Sequence, residues 1–163
     1  MIPTIKGFRI DYWLAAVILF TMAAIAFINV LSRYLFHFSF AATEEITINL
    51  FVWLTVVGSG IAFERGSMLG MVTLYNYFPD RYKKIFTLFS AALSATLFVL
   101  VDFYMIVAIH EELTLFQATS AALGIPVWVY YAGVPVLSIF VFVGIYRQTT
   151  AAVARIDHSR GER

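Results

Sequence analysis

Four long stretches of this chain contain no charged side chain: residues 12–32, 46–63, 85–101 and 113–146. A bilayer core about 30 Å thick is crossed by about 20 helical residues, so each stretch is a candidate transmembrane span. Only 13% of the 163 residues are charged and 61% are hydrophobic, whereas soluble domains carry about 25% charged residues. These features predict an all-α integral membrane protein with four transmembrane helices.

Two of the four stretches differ in length from a single span. The third is short, and we expect its helix to continue past Asp102 to about Ile109. The fourth is too long, and TSAALGIP interrupts it, where Gly124 and Pro126 indicate that the last helix begins near Pro126. The first stretch is too long for a secretory signal core, so we expect it to remain as an anchor. The prediction is one transmembrane domain, residues 1–163, with spans at about 12–32, 46–63, 85–109 and 126–147.

Lysine and arginine residues predict the orientation of these helices. Ten of the eleven lie on the side that holds both termini and the loop between the second and third helices, and only Arg33 lies on the other side. Because positive residues favour the cytoplasmic side, both termini are expected in the cytoplasm. Within that loop, Leu69, Val72 and either Tyr75 or Phe78 recur at helical spacing, which predicts an interfacial helical segment on the membrane surface.

Charged residues also stand between the first two helices. Arg33 ends the first apolar stretch, and Glu44 and Glu45 precede the second. A cation at a membrane boundary is costly when it is unpaired, and a nearby carboxylate offsets much of that cost. We therefore predict that the three residues form a structural polar cluster or a contact with a partner subunit. The simpler interpretation is that the three side chains are solvated at the ends of the helices, in the headgroup region.

Residues suited to catalysis, substrate binding or metal ligation are few. Cysteine is absent, and the three histidines occur in no metalloprotease, nucleophile-elbow or phosphate-loop pattern. Asp102 is the deepest acid, but it follows Lys84 by 18 residues, about 27 Å of helix, which predicts a position near the outer interface. The sequence thus predicts no catalytic, substrate-binding or metal site. The net charge of +1 argues against a nucleic-acid partner.

Several motifs follow one another in a recognisable order. NVLSRYLF is followed by EEITINLFVWLTVVGSGIAFERG, then by a basic loop that contains a proline, and then by TSAALGIPVWVYYAGVPV. This order resembles the small membrane subunit, the Q subunit or small permease, of tripartite ATP-independent periplasmic (TRAP) transporters. The residues that match the family pattern are Asn29, Arg33, Tyr34, Glu44, Glu45, Trp53, Gly58, Pro126, Trp128 and Pro135.

The resemblance implies a function without a substrate site or cofactor in this chain. A small subunit of this family would pair, in a bacterial inner membrane, with a large multi-spanning permease subunit that moves substrate by an elevator motion. A periplasmic binding protein would deliver the substrate, and sodium would bind to the large subunit and drive symport. Family substrates are mostly carboxylates, including C4-dicarboxylates, sugar acids and sialic acids. The small subunit would enlarge and anchor the static scaffold in the surrounding lipids.

Two other functional classes are compatible with four apolar helices. A self-contained small exporter or channel, acting as a homo-oligomer, would require an ionisable residue or a broken helix near the membrane centre. A lipid-modifying or signalling membrane enzyme would require a catalytic constellation. The sequence indicates neither feature, so the accessory-subunit interpretation and a non-enzymatic role are favoured.

Overall fold

Four long helices account for most of the protein. The computed structural model describes residues 9–37, 41–65 and 80–161. Each helix contains a segment that is long and apolar enough to cross a membrane, which confirms the predicted four-helix, all-α membrane fold. The helices are α1 (Ile10–Phe36), α2 (Ala41–Arg65), α3 (Asp80–Glu111) and α4 (Trp128–Gly161).

The observed helices extend beyond most of the predicted spans: α1 and α2 both begin earlier and end later than 12–32 and 46–63. The apolar segment of α3 does not end near Ile109 but continues through a π-helical turn, Glu112–Phe116. The helix α4 begins at Trp128, two residues after Pro126. The predicted interfacial segment between α2 and α3 lies outside the described residues. The cytoplasmic location of the termini stays a prediction.

The helices pack side by side in the spatial order α1, α2, α4, α3, with α4 between α2 and α3. Polar contacts at both ends of α2 fix its direction relative to α4. Glu45, near the start of α2, contacts Ser120 just before α4, and Glu64, at the end of α2, contacts Arg147 of α4. The helices α2 and α4 are therefore parallel neighbours, which is possible because α3 returns the chain across the membrane between them.

Glycines allow the backbones of α2 and α4 to approach closely. A Cβ atom added to Gly60 would lie 2.8 Å from the backbone carbonyl of Phe140, and one added to Gly144 would overlap the carbonyl oxygen of Gly60. Val57 and Val141 are fully buried at the same level. Lipid tails are as apolar as leucine, so helices in a membrane associate through close packing and polar contacts. The core of the fold is this contact.

The outward face of α1 carries a regular row of aromatic side chains. Trp13, Phe20, Phe27 and Tyr34 follow one another at intervals of seven residues, and each is more than 60% exposed. Trp13 and Tyr34 are 21 residues apart, about 32 Å along a helix, which matches the thickness of a hydrocarbon core. Tryptophan and tyrosine favour the two membrane interfaces. This spacing is typical of a helix face that contacts lipid.

The glycine contact between α2 and α4 leads to a prediction with an internal control. Gly144→Ala should lower the free energy of unfolding by about 1–3 kcal/mol, because the new methyl group forces the two backbones apart. Gly58→Ala, on the same pair of helices, should leave stability unchanged or raise it by up to about 1 kcal/mol, since no atom lies within 4 Å of that position. Thermal unfolding of both variants in the same detergent measures the difference, and equal losses would contradict the packing.

Candidate functional site: polar contacts between the helices

The segment that precedes α4 folds into a compact loop. The backbone pairs Thr119 with Pro126, and Ser120 N donates to the carbonyl oxygen of Ile125 at 2.8 Å. Gly124 supplies a positive φ of 67°, a conformation that costs glycine little. The Ser120 hydroxyl accepts a hydrogen bond from Leu123 N at 3.0 Å. Ser120 is thus the buried centre of a loop whose other side chains are mostly exposed.

This loop is joined to the start of α2 through Glu45. The Ser120 hydroxyl donates to Glu45 Oε2 at 2.6 Å, and the buried Tyr130 hydroxyl lies beside both residues. We call Glu45, Ser120 and Tyr130 the Glu45 cluster. A hydrogen bond to a carboxylate is stronger than one between neutral groups. The cluster therefore fixes the loop, and with it the start of α4, against α2.

Two turns further along α2, Trp53 makes a second contact with α4. Its indole nitrogen donates to the carbonyl oxygen of Tyr130 at 3.1 Å. The indole ring lies directly against Gly133, where any larger residue would overlap it. Trp53 and Gly133 therefore act as a matched pair: the ring fills the space that the missing side chain leaves, and its N–H satisfies a carbonyl in the first turn of α4.

Asp102 of α3 contacts Ser138 of α4. The Ser138 hydroxyl donates to Asp102 Oδ2 at 2.6 Å and also lies 2.9 Å from the carbonyl oxygen of Pro135. Ser138 is 1% exposed. The other carboxylate oxygen, Oδ1, is buried and has no hydrogen-bond partner in the part of the chain that the structure describes. The acid is therefore enclosed between two helices and does not line an open path.

The described helices allow a deeper position for Asp102 than the predicted one near the outer interface, which stays a prediction. The apolar segment of α3 covers Ile85–Phe116, and Asp102 is close to its midpoint. Ser138 is ten residues into α4, about 15 Å from its first residue, which is half the thickness of a hydrocarbon core. The sequence estimate ended the span at Ile109 and so omitted the π-helical turn that extends it.

A charged network lies at the opposite end of α2 from the Glu45 cluster. Arg9, just before α1, makes ion pairs with Asp11 and with Glu64, and Arg147 of α4 lies 3.5 Å from the other oxygen of Glu64. We call Arg9, Asp11, Glu64 and Arg147 the Arg9 network. Burial alone would lower the pKa of Arg9, but its hydrogen bond to Asp11 and the two carboxylate charges raise the pKa overall. Arg9 is thus a permanent cation that joins α1 to α2.

Tyr12 lies next to this network and contacts two arginines. The guanidinium of Arg9 lies 4.0 Å from the centre of the Tyr12 ring, and that of Arg65 lies 4.9 Å from it. The Arg65 Nε also donates to the Tyr12 hydroxyl at 2.7 Å. Stacking on an aromatic face stabilises a guanidinium. The ring therefore holds two cations in place at the end of α2.

Comparison with known proteins identifies the family of this chain. Residues 22–155 match the model of the family described as tripartite ATP-independent periplasmic transporters, DctQ component. The chain belongs to this family. It is therefore a membrane component of a transporter family, and the resemblance inferred from the sequence motifs is confirmed.

Two curated relatives agree with this family. The C4-dicarboxylate TRAP transporter small permease protein DctQ of Vibrio cholerae serotype O1 is 32% identical over 89 residues, 55% of this chain and 36% of the relative. A Haemophilus influenzae protein with the provisional name TRAP transporter small permease protein is 37% identical over 62 residues, 38% of each chain. The alignments thus cover little more than a third of each relative.

Of the residues that match the DctQ-family pattern, four take part in the contacts described above. Glu45 belongs to the Glu45 cluster, Trp53 contacts α4, Pro126 closes the loop, and the carbonyl of Pro135 lies beside Ser138. Three of the others are less enclosed: Gly58 has free space beside it, Trp128 is 36% exposed at the start of α4, and Tyr34 is 77% exposed. Asn29 is half-buried and makes a polar or ring contact.

Arg33 and Glu44 are both exposed in this DctQ-family chain. Within residues 9–37, 41–65 and 80–161, Arg33 makes no ion pair with either glutamate, and Glu45 binds Ser120. The alternative that Arg33 and Glu44 contact a partner subunit stays a prediction. The same described residues contain no group of three or more acidic, histidine or cysteine side chains that could hold a metal ion.

Sequence reasoning missed Ser120, Ser138 and the Arg9 network. Serine is common in transmembrane helices and loops, so neither serine stands out before its partner is known. Arg9 and Glu64 are 55 residues apart, but both lie at the ends of apolar stretches on the same side of the membrane. That placement is a signal from which their pairing could have been inferred.

The Glu45 cluster leads to a test in the form of a double-mutant cycle. Glu45→Ala and Ser120→Ala should each destabilise the protein, and the double variant should lose less than the sum, with a coupling of about 1 kcal/mol. Glu44→Ala is the matched control, because the Glu44 carboxylate is exposed. Its loss of unfolding free energy should simply add to that of Ser120→Ala. Thermal unfolding gives all the free energies required. Strict additivity in the Glu45 cycle would refute the contact.

Proposed function

We propose that this chain is the small membrane subunit of a TRAP-type secondary transporter in a bacterial inner membrane. The observation that carries the proposal is the family match across residues 22–155. In this role the chain binds no substrate. It pairs with a large multi-spanning permease subunit and enlarges the part of that subunit that stays fixed in the bilayer.

The arrangement of polar groups supports a scaffold role. Each contact described above joins one helix to another: the Glu45 cluster and Trp53 join α2 to α4, Asp102 joins α3 to α4, and the Arg9 network joins α1 to α2 and α4. A transport path needs polar groups that face a water-filled space. Groups that satisfy one another stabilise a fixed arrangement of helices, which suits an anchor.

We propose a carboxylate as the substrate of the complex: a C4-dicarboxylate, a sugar acid or a sialic acid. The Vibrio cholerae relative is named for C4-dicarboxylate transport, and that name supports the class for this chain's complex. A periplasmic binding protein delivers the substrate, and the large subunit binds the sodium ions that drive uptake. Arg33, exposed at the end of α1, is then available to a carboxylate of the large subunit.

A self-contained exporter or channel built as a homo-oligomer is the second candidate. The position of Asp102 favours it, because an ionisable residue near the membrane centre is a feature of ion pathways. Against it, Asp102 is enclosed by Ser138 and its helix, and its free oxygen is shielded from solvent. An enclosed acid of this kind is a link between helices, so the accessory subunit is the better explanation.

Reconstitution into liposomes tests the proposed function. The chain alone, under an inward sodium gradient, should take up no carboxylate, because it has no open polar path. The chain together with its large subunit and a loaded binding protein should give uptake that depends on sodium. Leaving this chain out should abolish or strongly reduce that uptake. Radiolabelled C4-dicarboxylate, gluconate and sialic acid are suitable substrates.

Asp102→Asn distinguishes the two candidates within the same assay. An accessory subunit should support uptake in this variant at close to the wild-type rate, because asparagine can still accept the Ser138 hydrogen bond. Uptake by the wild-type chain alone, lost in Asp102→Asn, would refute the accessory role and establish the self-contained transporter.

A further inference from the structure

Positive charge exceeds negative charge at the end of the protein that holds the Arg9 network. The network and the adjoining Arg65 contribute three arginines, Arg9, Arg65 and Arg147, against two carboxylates, Asp11 and Glu64. Both oxygens of Glu64 are in contact with arginine, one with Arg9 and the other with Arg147. Among the side chains of residues 9–35, 42–65 and 85–154, one cation of this group is therefore left without a compensating carboxylate.

Arg65 is that cation. Its side chain is exposed, and it makes no ion pair with the side chains of residues 9–35, 42–65 and 85–154. The Nε donates to the Tyr12 hydroxyl, and the guanidinium carbon stays within 5 Å of the Tyr12 ring. These two contacts orient the group while leaving its two terminal nitrogens unused. A guanidinium with both terminal nitrogens available matches two oxygens of one phosphate.

We propose that Arg65, oriented by Tyr12, binds the phosphate of an anionic phospholipid headgroup. Arg9 lies on the same tyrosine ring, and Arg147 contacts Glu64, the residue before Arg65. Both arginines therefore add to the positive potential around Arg65. The lipid phosphate supplies the negative charge that the Arg9 network lacks beside Arg65. This ligand is separate from the transported substrate, and the site does not depend on the proposed function.

The position of Arg65 favours a lipid over a phosphate dissolved in water. Arg65 is the last residue of the apolar segment of α2, and Arg9 immediately precedes that of α1. Both residues therefore lie at the level where a membrane changes from acyl chains to headgroups. Acyl chains can run along the exposed apolar surfaces of the helices below, which include Trp13 and Val17 of α1.

Native mass spectrometry of the full-length chain tests the proposal. The purified protein is titrated with phosphatidylglycerol and, separately, with phosphatidylcholine. Wild type should bind phosphatidylglycerol more tightly, and Arg65→Gln should weaken that binding about fivefold, as expected for one basic residue at a membrane surface. Arg65→Lys should give an intermediate loss of affinity, because lysine keeps the positive charge but cannot donate two parallel hydrogen bonds to one phosphate. The binding of phosphatidylcholine should weaken less in either variant, because the choline group neutralises its phosphate and reduces its attraction to a cation.

Arg33→Gln is the matched control, since Arg33 is an exposed arginine at the opposite end of the helices. It should leave the affinity for phosphatidylglycerol at the wild-type value. An equal loss in Arg33→Gln and Arg65→Gln would overturn the site, because it would show only a general effect of charge. Displacement of the lipid by inorganic phosphate at the same concentration would overturn the choice of a lipid. Unchanged melting temperatures show that each variant is folded.

Discussion

The backbones of α2 and α4 approach each other more closely than side chains would allow. At the level of Gly60 and Gly144 the two backbones are separated by no side chain, and Val57 and Val141 are completely enclosed beside them. The hydrophobic effect does not bring apolar helices together within lipid, so contact at this distance must supply the stability through dispersion and polar bonds. The other helices are then added to this pair: α1 to the free side of α2, and α3 to the free side of α4.

Polar contacts fix the register that close packing alone would leave free to slide. Two parallel helices with small residues at their contact could shift by a turn at little cost in apolar area. The Glu45 cluster prevents this at one end and the Glu64 contact with Arg147 prevents it at the other, with Trp53 between them. Asp102 and Ser138 set the level of α3 in the same way. The contact between Asp102 and Ser138 thus has an architectural explanation.

The number and character of the helices could be predicted from the sequence, because an uncharged apolar stretch of 17 or more residues is stable as a helix that crosses a membrane. The partners of individual residues could not. Glu45 and Trp53 are visible as members of a family pattern, but Ser120 is 75 residues from Glu45, and Tyr130 is 77 residues from Trp53. Nothing local to either residue indicates which helix it faces.

The depth of Asp102 shows a different limit. A helix length predicted from charges alone ends where the charges begin, at His110 and the two glutamates that follow. The chain instead continues in helical form through Glu112–Phe116, so the apolar segment is longer than the charge pattern suggests. The depth of Asp102 therefore depends on how this longer segment is centred in the membrane, and the contact with Ser138 sets its level relative to α4.

If this chain is a fixed scaffold, distances measured within it should not change during transport. Nitroxide labels can be attached at Phe20→Cys on α1 and Leu97→Cys on α3, because both positions are exposed. Pulsed electron–electron double resonance then measures the distance between α1 and α3. The complex with its large subunit should give the same distance distribution with and without sodium, substrate and binding protein, while a label pair across the moving domain of the large subunit shifts. A substrate-dependent change in the Phe20 to Leu97 distance would contradict the account.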